Sequence, residues 1–200
     1  MTRRHLALGA LLTVGSSMLV GAPAAAQTTD AARAVAAAQA GEVVLVCRHA
    51  ETDSFREREP VDYDDPTTQR RLDEGGEAQS RRIGAAWREL GLEVTRLVAS
   101  PMDRARRTAE LMLDRPPQID SIWHTNGSDY SGAARDARLA FLRTPVERGV
   151  VVVVSHIGTM SSVLPDIRGD VGEGACVVVR PRPEEPEIVG VVASEEWRPG

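Results

Sequence analysis

Residues 42–52 read EVVLVCRHAET, a short apolar run that stops abruptly at Arg48 and His49. A β-branched run bounded by polar residues is typical of a strand that is buried on both faces of a parallel sheet. Ligands of open α/β sheets bind beyond the carboxyl ends of such strands. An arginine and a histidine at this position therefore indicate an anionic substrate and either nucleophilic or acid–base chemistry.

A second strand-like run, residues 94–99, is followed by SPMDRARRTAE. Ser100 is expected to be the N-cap of a helix, with Pro101 at its first position and Asp103 completing a capping box. Arg104 then lies near the positive end of the helix dipole, where a phosphate group binds favourably.

A third run, residues 149–155, contains five consecutive valines and ends at His156. Any one such residue could be an ordinary solvated or capping side chain. Three predicted strand ends that carry Arg48 with His49, Arg104 and His156 favour a single site at one edge of the sheet.

Helical and strand-like patterns alternate along the rest of the chain. This alternation predicts an α/β fold, a three-layer α/β/α sandwich around a mostly parallel sheet. The predicted segments are a long loop over the site mouth at 55–68, helices at 74–90, 102–113, 133–142 and 159–164, and two late strands at 174–179 and 187–192 that pair as an edge hairpin.

These segments resemble the motifs of the histidine phosphatase superfamily, which includes the cofactor-dependent phosphoglycerate mutases. Residues 48–52 are similar to the family's Arg-His-Gly-Glu-Thr signature, with Ala50 in place of glycine. Residues 100–110 resemble its second arginine motif, and residues 153–158 resemble the segment that bears its second histidine. Residues 72–80 resemble its L-x-x-x-G-x-x-Q stretch. The resemblance covers residues 42–180 and implies a phosphoglycerate mutase-like fold.

The resemblance also implies a role for each site residue. His49 would be the nucleophile that becomes a phosphohistidine, while Arg48, Arg104 and His156 would hold the phosphoryl oxygens. This agrees with elementary chemistry, because a neutral imidazole is a competent nucleophile and a guanidinium fork matches phosphate geometry. The sequence has no cluster with metal-ligand spacing, so we expect neither a metal nor another cofactor.

The proton donor for the leaving group is not determined by the motifs. Family members often supply a Glu or Asp after the second-arginine helix, and here the candidates are Asp129 and Asp120, with Glu51 near the nucleophile as a third. Each could equally be a turn, capping or surface residue. His124 is expected to be a surface histidine at the end of a strand.

The N-terminus has the pattern of a secretory signal peptide. Arg3 and Arg4 precede an apolar run that ends near Val20, and small residues follow up to Ala26. The run is shorter than a membrane span, so we expect cleavage after Ala26 and no stable span in the mature protein. The predicted organisation is a signal peptide at 1–26, an arm or helix at 27–41 and the phosphatase-like domain at 42–200. The protein is therefore expected to be exported, periplasmic or extracellular, by either a general or a twin-arginine route.

Composition narrows the possible partners. The net charge of the whole chain is −5, and removal of the signal arginines makes the mature chain more acidic, so nucleic acid is not an expected partner.

Cys47 and Cys176 both lie in apolar strand-like runs. An exported protein could pair them, but we expect buried free thiols.

Three functions follow from these features. The first is an exported phosphomonoesterase acting on small phosphate esters or phosphorylated envelope glycans. The second is a phosphohistidine-protein phosphatase, whose leaving nitrogen needs less protonation. The third is a non-catalytic domain that binds phosphorylated ligands. The short span between Arg104 and His156 favours an open site and hydrolysis over mutase chemistry, because a mutase must exclude water from its phosphoenzyme.

Overall fold

The computed structural model describes residues 30–57, 61–124, 132–167 and 171–198. Strands and helices alternate through these ranges. The strands are β1 (Val43–Arg48), β2 (Val94–Ala99), β3 (Gln118–Ile119), β4 (Val150–Ser155), β5 (Cys176–Arg180) and β6 (Glu187–Val192). The α-helices are α1 (Asp30–Ala40), α2 (Glu74–Glu89), α3 (Asp103–Leu113), α4 (Ala133–Arg143) and α5 (Ile157–Ser161).

The described strands form one sheet in the order β3-β2-β4-β1-β5-β6. The first four strands in this order run parallel to their neighbours, while β5 is antiparallel to β1 and β6 is antiparallel to β5. The mostly parallel sheet and its edge hairpin confirm the sequence prediction.

The two central strands explain why the apolar runs do not alternate with polar residues. Val43 and Leu45 of β1 pack into a core on one face of the sheet, whereas Val44 and Val46 pack into a second core on the other face. The five-valine run of β4 divides between the same two cores. Strands buried on both faces need apolar side chains at every position.

Helices cover both faces of the sheet and complete the three layers. The first core contains buried side chains from α1, α2 and α3, such as Val35, Trp87 and Met112. The second contains Leu142 from α4 and Met160 from α5. The predicted three-layer α/β/α sandwich is therefore confirmed. The segment predicted as an arm or helix contains α1, whose apolar face packs against β6.

The start of α3 differs from the sequence prediction. The helix begins at Asp103 with Met102 as its N-cap residue, and no side chain caps it. Ser100 lies before the helix, where its hydroxyl accepts a hydrogen bond from the Met102 N–H at 3.3 Å. The capping-box prediction was wrong because the Ser100 hydroxyl does not cap the first turn of the helix. It contacts His156, the residue that follows β4.

Cys47 and Cys176 form a disulfide, so the expectation of free thiols was wrong. The two residues lie directly opposite each other in the antiparallel pair of β1 and β5. Directly opposed residues point to the same face of a sheet, which brings their sulfur atoms together. The register of this pair joins positions 129 residues apart and cannot be read from either run alone.

Among the described helices, none is both long and apolar enough to cross a membrane. The predicted signal peptide at 1–26 lies outside the described residues.

Candidate active site

The parallel strands bring three chain segments to one edge of the sheet. The His49 N–H donates to the Ser155 carbonyl at 2.9 Å, and the Ser100 N–H donates to the Val154 carbonyl at 3.0 Å. These backbone bonds continue the ladder just beyond the ends of β1, β2 and β4. The structure thus brings together the residues that the sequence places at the three strand ends.

His49 is buried and held in one orientation. Only 2% of the residue is exposed, and its Nδ1 lies 2.9 Å from the Ala50 carbonyl oxygen. A carbonyl can only accept, so Nδ1 carries the proton and Nε2 keeps its lone pair. Burial, followed by the charge of Arg104, lowers the pKa of His49 to about 3. The imidazole is therefore neutral and nucleophilic across the physiological pH range.

His156 lies beside His49, with 5.4 Å between the ring centroids. Its Nε2 is 2.8 Å from the Ser100 hydroxyl, which already accepts from the Met102 N–H. The hydroxyl still has its own proton to donate to Nε2, and this arrangement leaves the proton of the neutral ring on Nδ1. Burial and then the charge of Arg104 lower the pKa of His156 well below its usual value. His156 is thus a neutral hydrogen-bond donor.

The two arginines are fixed by different parts of the chain. Arg48 ends β1 and donates to the Val171 carbonyl and to the Glu173 carboxylate, each at 3.2 Å. Arg104 is the second residue of α3, and its buried guanidinium is ion-paired with Glu57. Both cations are partly neutralised, yet each keeps donors that these contacts do not use.

Three nitrogen atoms in this cluster are buried and have no hydrogen-bond partner among the described residues. They are the Nε atoms of Arg48 and Arg104 and the Nδ1 atom of His156. An unmet buried donor costs about 1–3 kcal/mol, so three of them together indicate a site where water or a bound ligand supplies acceptors. A phosphoryl group has several oxygens and matches this requirement.

Glu173 is a site residue that the sequence analysis missed. Its carboxylate contacts Arg48, and the same Oε1 lies 4.0 Å from the Nδ1 of His49. The backbone N–H of the next residue, Gly174, donates to the His49 carbonyl at 3.0 Å. No motif marks Glu173, because its position depends on the antiparallel pairing of β5 with β1.

The L-x-x-x-G-x-x-Q stretch supports the loop that follows His49. Gly76 lies against the Glu51 backbone, where an added Cβ would come within 1.9 Å of the Glu51 carbonyl oxygen. The Gln79 side-chain oxygen accepts from the Glu51 N–H at 3.1 Å, and its nitrogen donates to the Glu173 carbonyl at 3.0 Å. This glycine and glutamine therefore position the segments on both sides of His49.

His124 is a second residue whose placement differs from the expectation. It follows a short 3₁₀ helix, Ser121–Trp123, and its ring stands edge-on to His156 with 5.4 Å between centroids. Tyr63 contacts the other side of His124, at 5.7 Å between centroids. The prediction of a solvent-facing histidine was wrong, since long-range packing brings this ring to the site.

The loop predicted over the site mouth does contact the site. Glu57 is ion-paired with Arg104, and the Tyr63 carbonyl accepts from Arg106 at 3.4 Å. Gln69, at the end of the segment, binds the Asp103 N–H with its side-chain oxygen at 2.8 Å. The described parts of residues 55–69 are therefore attached to α3, the helix that carries Arg104.

The three sequence candidates for the proton donor lie in different places. Asp120 accepts from the Ile122 N–H at 3.1 Å and caps the short 3₁₀ helix. The Glu51 carboxylate accepts from Gln79 at 3.4 Å. Asp129 lies outside the described residues. Neither described candidate contacts Arg104 or His156.

Comparison with known proteins agrees with this architecture. The family model of the histidine phosphatase superfamily (branch 1) matches residues 44–126, a range that contains His49 and Arg104. Among curated proteins, none matches the chain.

Several solved structures share the fold. A complex of the protein histidine phosphatase SixA with tungstate has a TM-score of 0.57 and 18% identity, over 76% of this chain and 97% of that chain. A mutant phosphoserine phosphatase from Entamoeba histolytica, bound to phosphoserine, has a TM-score of 0.56 and 14% identity, over 77% and 98%. The phosphoglycerate mutase from Bacillus anthracis has a TM-score of 0.54 and 12% identity, over 80% and 97%.

These likenesses extend over nearly the whole length of each solved structure and establish the phosphoglycerate mutase-like fold. The family model independently covers the segments that carry the nucleophile candidate and the second arginine. Residues 44–126 of the chain thus match the histidine phosphatase superfamily (branch 1), and the described residues have the phosphoglycerate mutase-like fold.

Proposed function

We propose that this protein is a phosphatase that hydrolyses phosphomonoesters through a phosphohistidine on His49 and needs no metal. The observation that carries the proposal is the set of three unmet buried donors, on Arg48, Arg104 and His156, beside a neutral imidazole. The donors fit the oxygens of a phosphoryl group, and the imidazole is ready to attack its phosphorus.

The proposed reaction has two displacements at phosphorus. The Nε2 lone pair of His49 forms an N–P bond while the bond from phosphorus to the ester oxygen breaks. Arg48, Arg104 and the Nδ1–H of His156 stabilise the charge on the phosphoryl oxygens. Water then attacks the phosphohistidine, the N–P bond breaks, and orthophosphate leaves with His49 neutral again.

The proposed location is outside the cytoplasm, in the periplasm or the extracellular space. The signal-like pattern of residues 1–26 supports this. The disulfide between Cys47 and Cys176 supports it independently, because such bonds persist in oxidising compartments. Small phosphate esters and phosphorylated envelope glycans are the proposed substrates, since both are available there.

A phosphohistidine-protein phosphatase is the second candidate. Asp120 and Glu51 are both engaged away from the phosphate-binding donors, and a phosphoramidate nitrogen needs less protonation on leaving than an alkoxide does. The disulfide and the signal-like N-terminus weigh against it, because phosphohistidine relays operate in the cytoplasm.

The test is a trapping experiment with the purified protein. Labelled aryl phosphate, added with EDTA and quenched rapidly by denaturation, should leave an acid-labile, base-stable phosphate on His49. His49→Ala should lose both the label and turnover, because only binding and electrostatics remain. Strict dependence on metal, or label on another residue, would contradict the mechanism. Tight binding of phosphate without any label would favour a non-catalytic binding domain.

A further inference from the structure

Glu57 is a carboxylate that the sequence analysis did not select and that the structure places on Arg104. We propose that Glu57 is the general acid of the reaction, which protonates the leaving oxygen once the substrate's phosphoryl group has taken over Arg104. This assignment rests on the proposed function. It would supply the one catalytic group that the sequence motifs leave open.

Contact with Arg104 places Glu57 next to the phosphoryl site. Arg104 is one of the two cations with a buried, unmet Nε donor, and its side chain is only 8% exposed. The Glu57 side chain is 28% exposed, so the carboxyl group lies between the buried Arg104 guanidinium and solvent. A group that hydrogen-bonds the same guanidinium as the phosphoryl oxygens is within reach of the substrate.

Hydrogen bonds hold described stretches of the chain on both sides of Glu57. The Phe55 N–H donates to the Asp53 carboxylate at 3.0 Å on the near side of Glu57. Farther along, the Gln69 side chain bridges the Asp62 carbonyl at 2.7 Å and the Asp103 N–H at 2.8 Å. Residues 62–69 are thereby tied to α3, the helix that carries Arg104.

The direction of the displacement agrees with an acid on this loop. In the proposed reaction His49 attacks the phosphorus, and an in-line displacement expels the leaving oxygen on the side opposite the nucleophile. On the described parts of the 55–69 segment, Glu57 contacts Arg104 and Tyr63 contacts His124. The proposal places the Glu57 carboxyl group on the leaving-group side of the site.

The other described carboxylates near His49 have different partners. Glu173 contacts Arg48 and lies near the Nδ1 of His49, on the side away from the attacking Nε2. Glu51 is bound to Gln79. Both positions suit orientation of the nucleophile segment, and neither touches Arg104.

In the proposed reaction the phosphoryl group of the substrate replaces Glu57 on Arg104, and the Glu57 carboxyl group carries a proton. During attack by His49, the P–O bond breaks and the Glu57 proton moves to the leaving oxygen. In the second step the Glu57 carboxylate takes a proton from the attacking water, which restores the carboxyl group.

The experiment compares leaving groups in Glu57→Gln. With glycerol phosphate, whose alkoxide needs a proton, kcat should fall on the order of 10²- to 10⁴-fold. With p-nitrophenyl phosphate, whose phenolate leaves unassisted, kcat should change less than about 10-fold. Glu57→Asp should recover part of the glycerol phosphate activity. Glu51→Gln is the matched control, since it removes a carboxylate from the same stretch of chain, and it should leave the ratio of the two activities unchanged.

Other results would overturn the assignment. Equal losses with both substrates would make Glu57 a positioning residue for Arg104. Tighter phosphate binding with unchanged or higher kcat on both substrates would show that Glu57 only competes with phosphate for Arg104. A selective loss on glycerol phosphate in His124→Gln, and none in Glu57→Gln, would move the role to His124. Wild-type protein that neither labels His49 nor cleaves p-nitrophenyl phosphate would instead refute the proposed function itself.

Discussion

Mild acid should destabilise this protein through its buried histidines, and the effect can be estimated for His49. Its pKa is about 3 in the folded chain and 6.5 in an unfolded one. Between pH 6.5 and about pH 3, His49 therefore binds a proton in the unfolded state but not in the folded state. The stabilisation is complete above pH 6.5 and is lost as the pH falls from 6.5 towards about 3.

The slope follows from the linkage relation. Each pH unit within this window corresponds to about 1.4 kcal/mol for one histidine. Between pH 7 and pH 5, His49 alone should lower the free energy of unfolding by about 2 kcal/mol. The lowered pKa of His156 acts in the same direction. A domain with a typical unfolding free energy of about 5–15 kcal/mol loses a large fraction of it in this way.

Urea unfolding of the wild type and His49→Gln at pH 7, 6 and 5 measures this contribution. The buffers must be free of phosphate, because a ligand that binds only the native state stabilises it. Carboxylates titrate equally in both proteins, so they cancel in the difference. The wild type should lose about 2 kcal/mol more than His49→Gln between pH 7 and pH 5. Parallel losses in the two proteins would show that His49 takes up protons in the folded state, and the argument from burial would fail.

Two further sets of substitutions test the role of Arg104 in phosphate binding and the disulfide between Cys47 and Cys176. Arg104→Ala should lower kcat/KM by about 10²-fold or more, because it removes stabilisation of the transition state. Arg107 lies on the same helix but is 41% exposed and paired with Glu77, so Arg107→Ala should change kcat/KM little. Equal losses in the two variants would contradict the assignment of Arg104 as a phosphate-binding residue. Replacing both Cys47 and Cys176 with alanine should lower the free energy of unfolding by about 2–5 kcal/mol in urea titrations, because the bond closes a long loop in the unfolded chain. No difference from the wild type under non-reducing conditions would mean that the bond is absent in solution.

The parts of the fold that could be predicted are those encoded by local patterns. The valine runs of β1 and β4 predicted buried parallel strands, because only such strands are apolar at consecutive positions. Parallel strands end at a common edge, so the same runs also predicted that His49, Arg104 and His156 would meet. The turn-rich segment between the last two strands predicted the hairpin of β5 and β6.

The features that were missed depend on pairing between distant segments. The disulfide requires the register of β1 against β5, and the position of Glu173 follows from the same pairing. His124 and Glu57 reach the site through packing of loops, which leaves no periodic signal in the sequence. The capping-box pattern at Ser100 was misleading for a related reason, since its hydroxyl binds His156.

The strand order also determines when the site can form during synthesis. The strand that presents His49 emerges early, but its two neighbours in the sheet are residues 150–155 and 176–180. A growing chain that has not reached residue 150 therefore exposes β1 with both edges unpaired, and such edges promote aggregation. Pairing of this kind has a high contact order and forms slowly. His49 is consequently synthesised early, but it reaches its place beside His156 only after the strands that flank β1 have been made and paired.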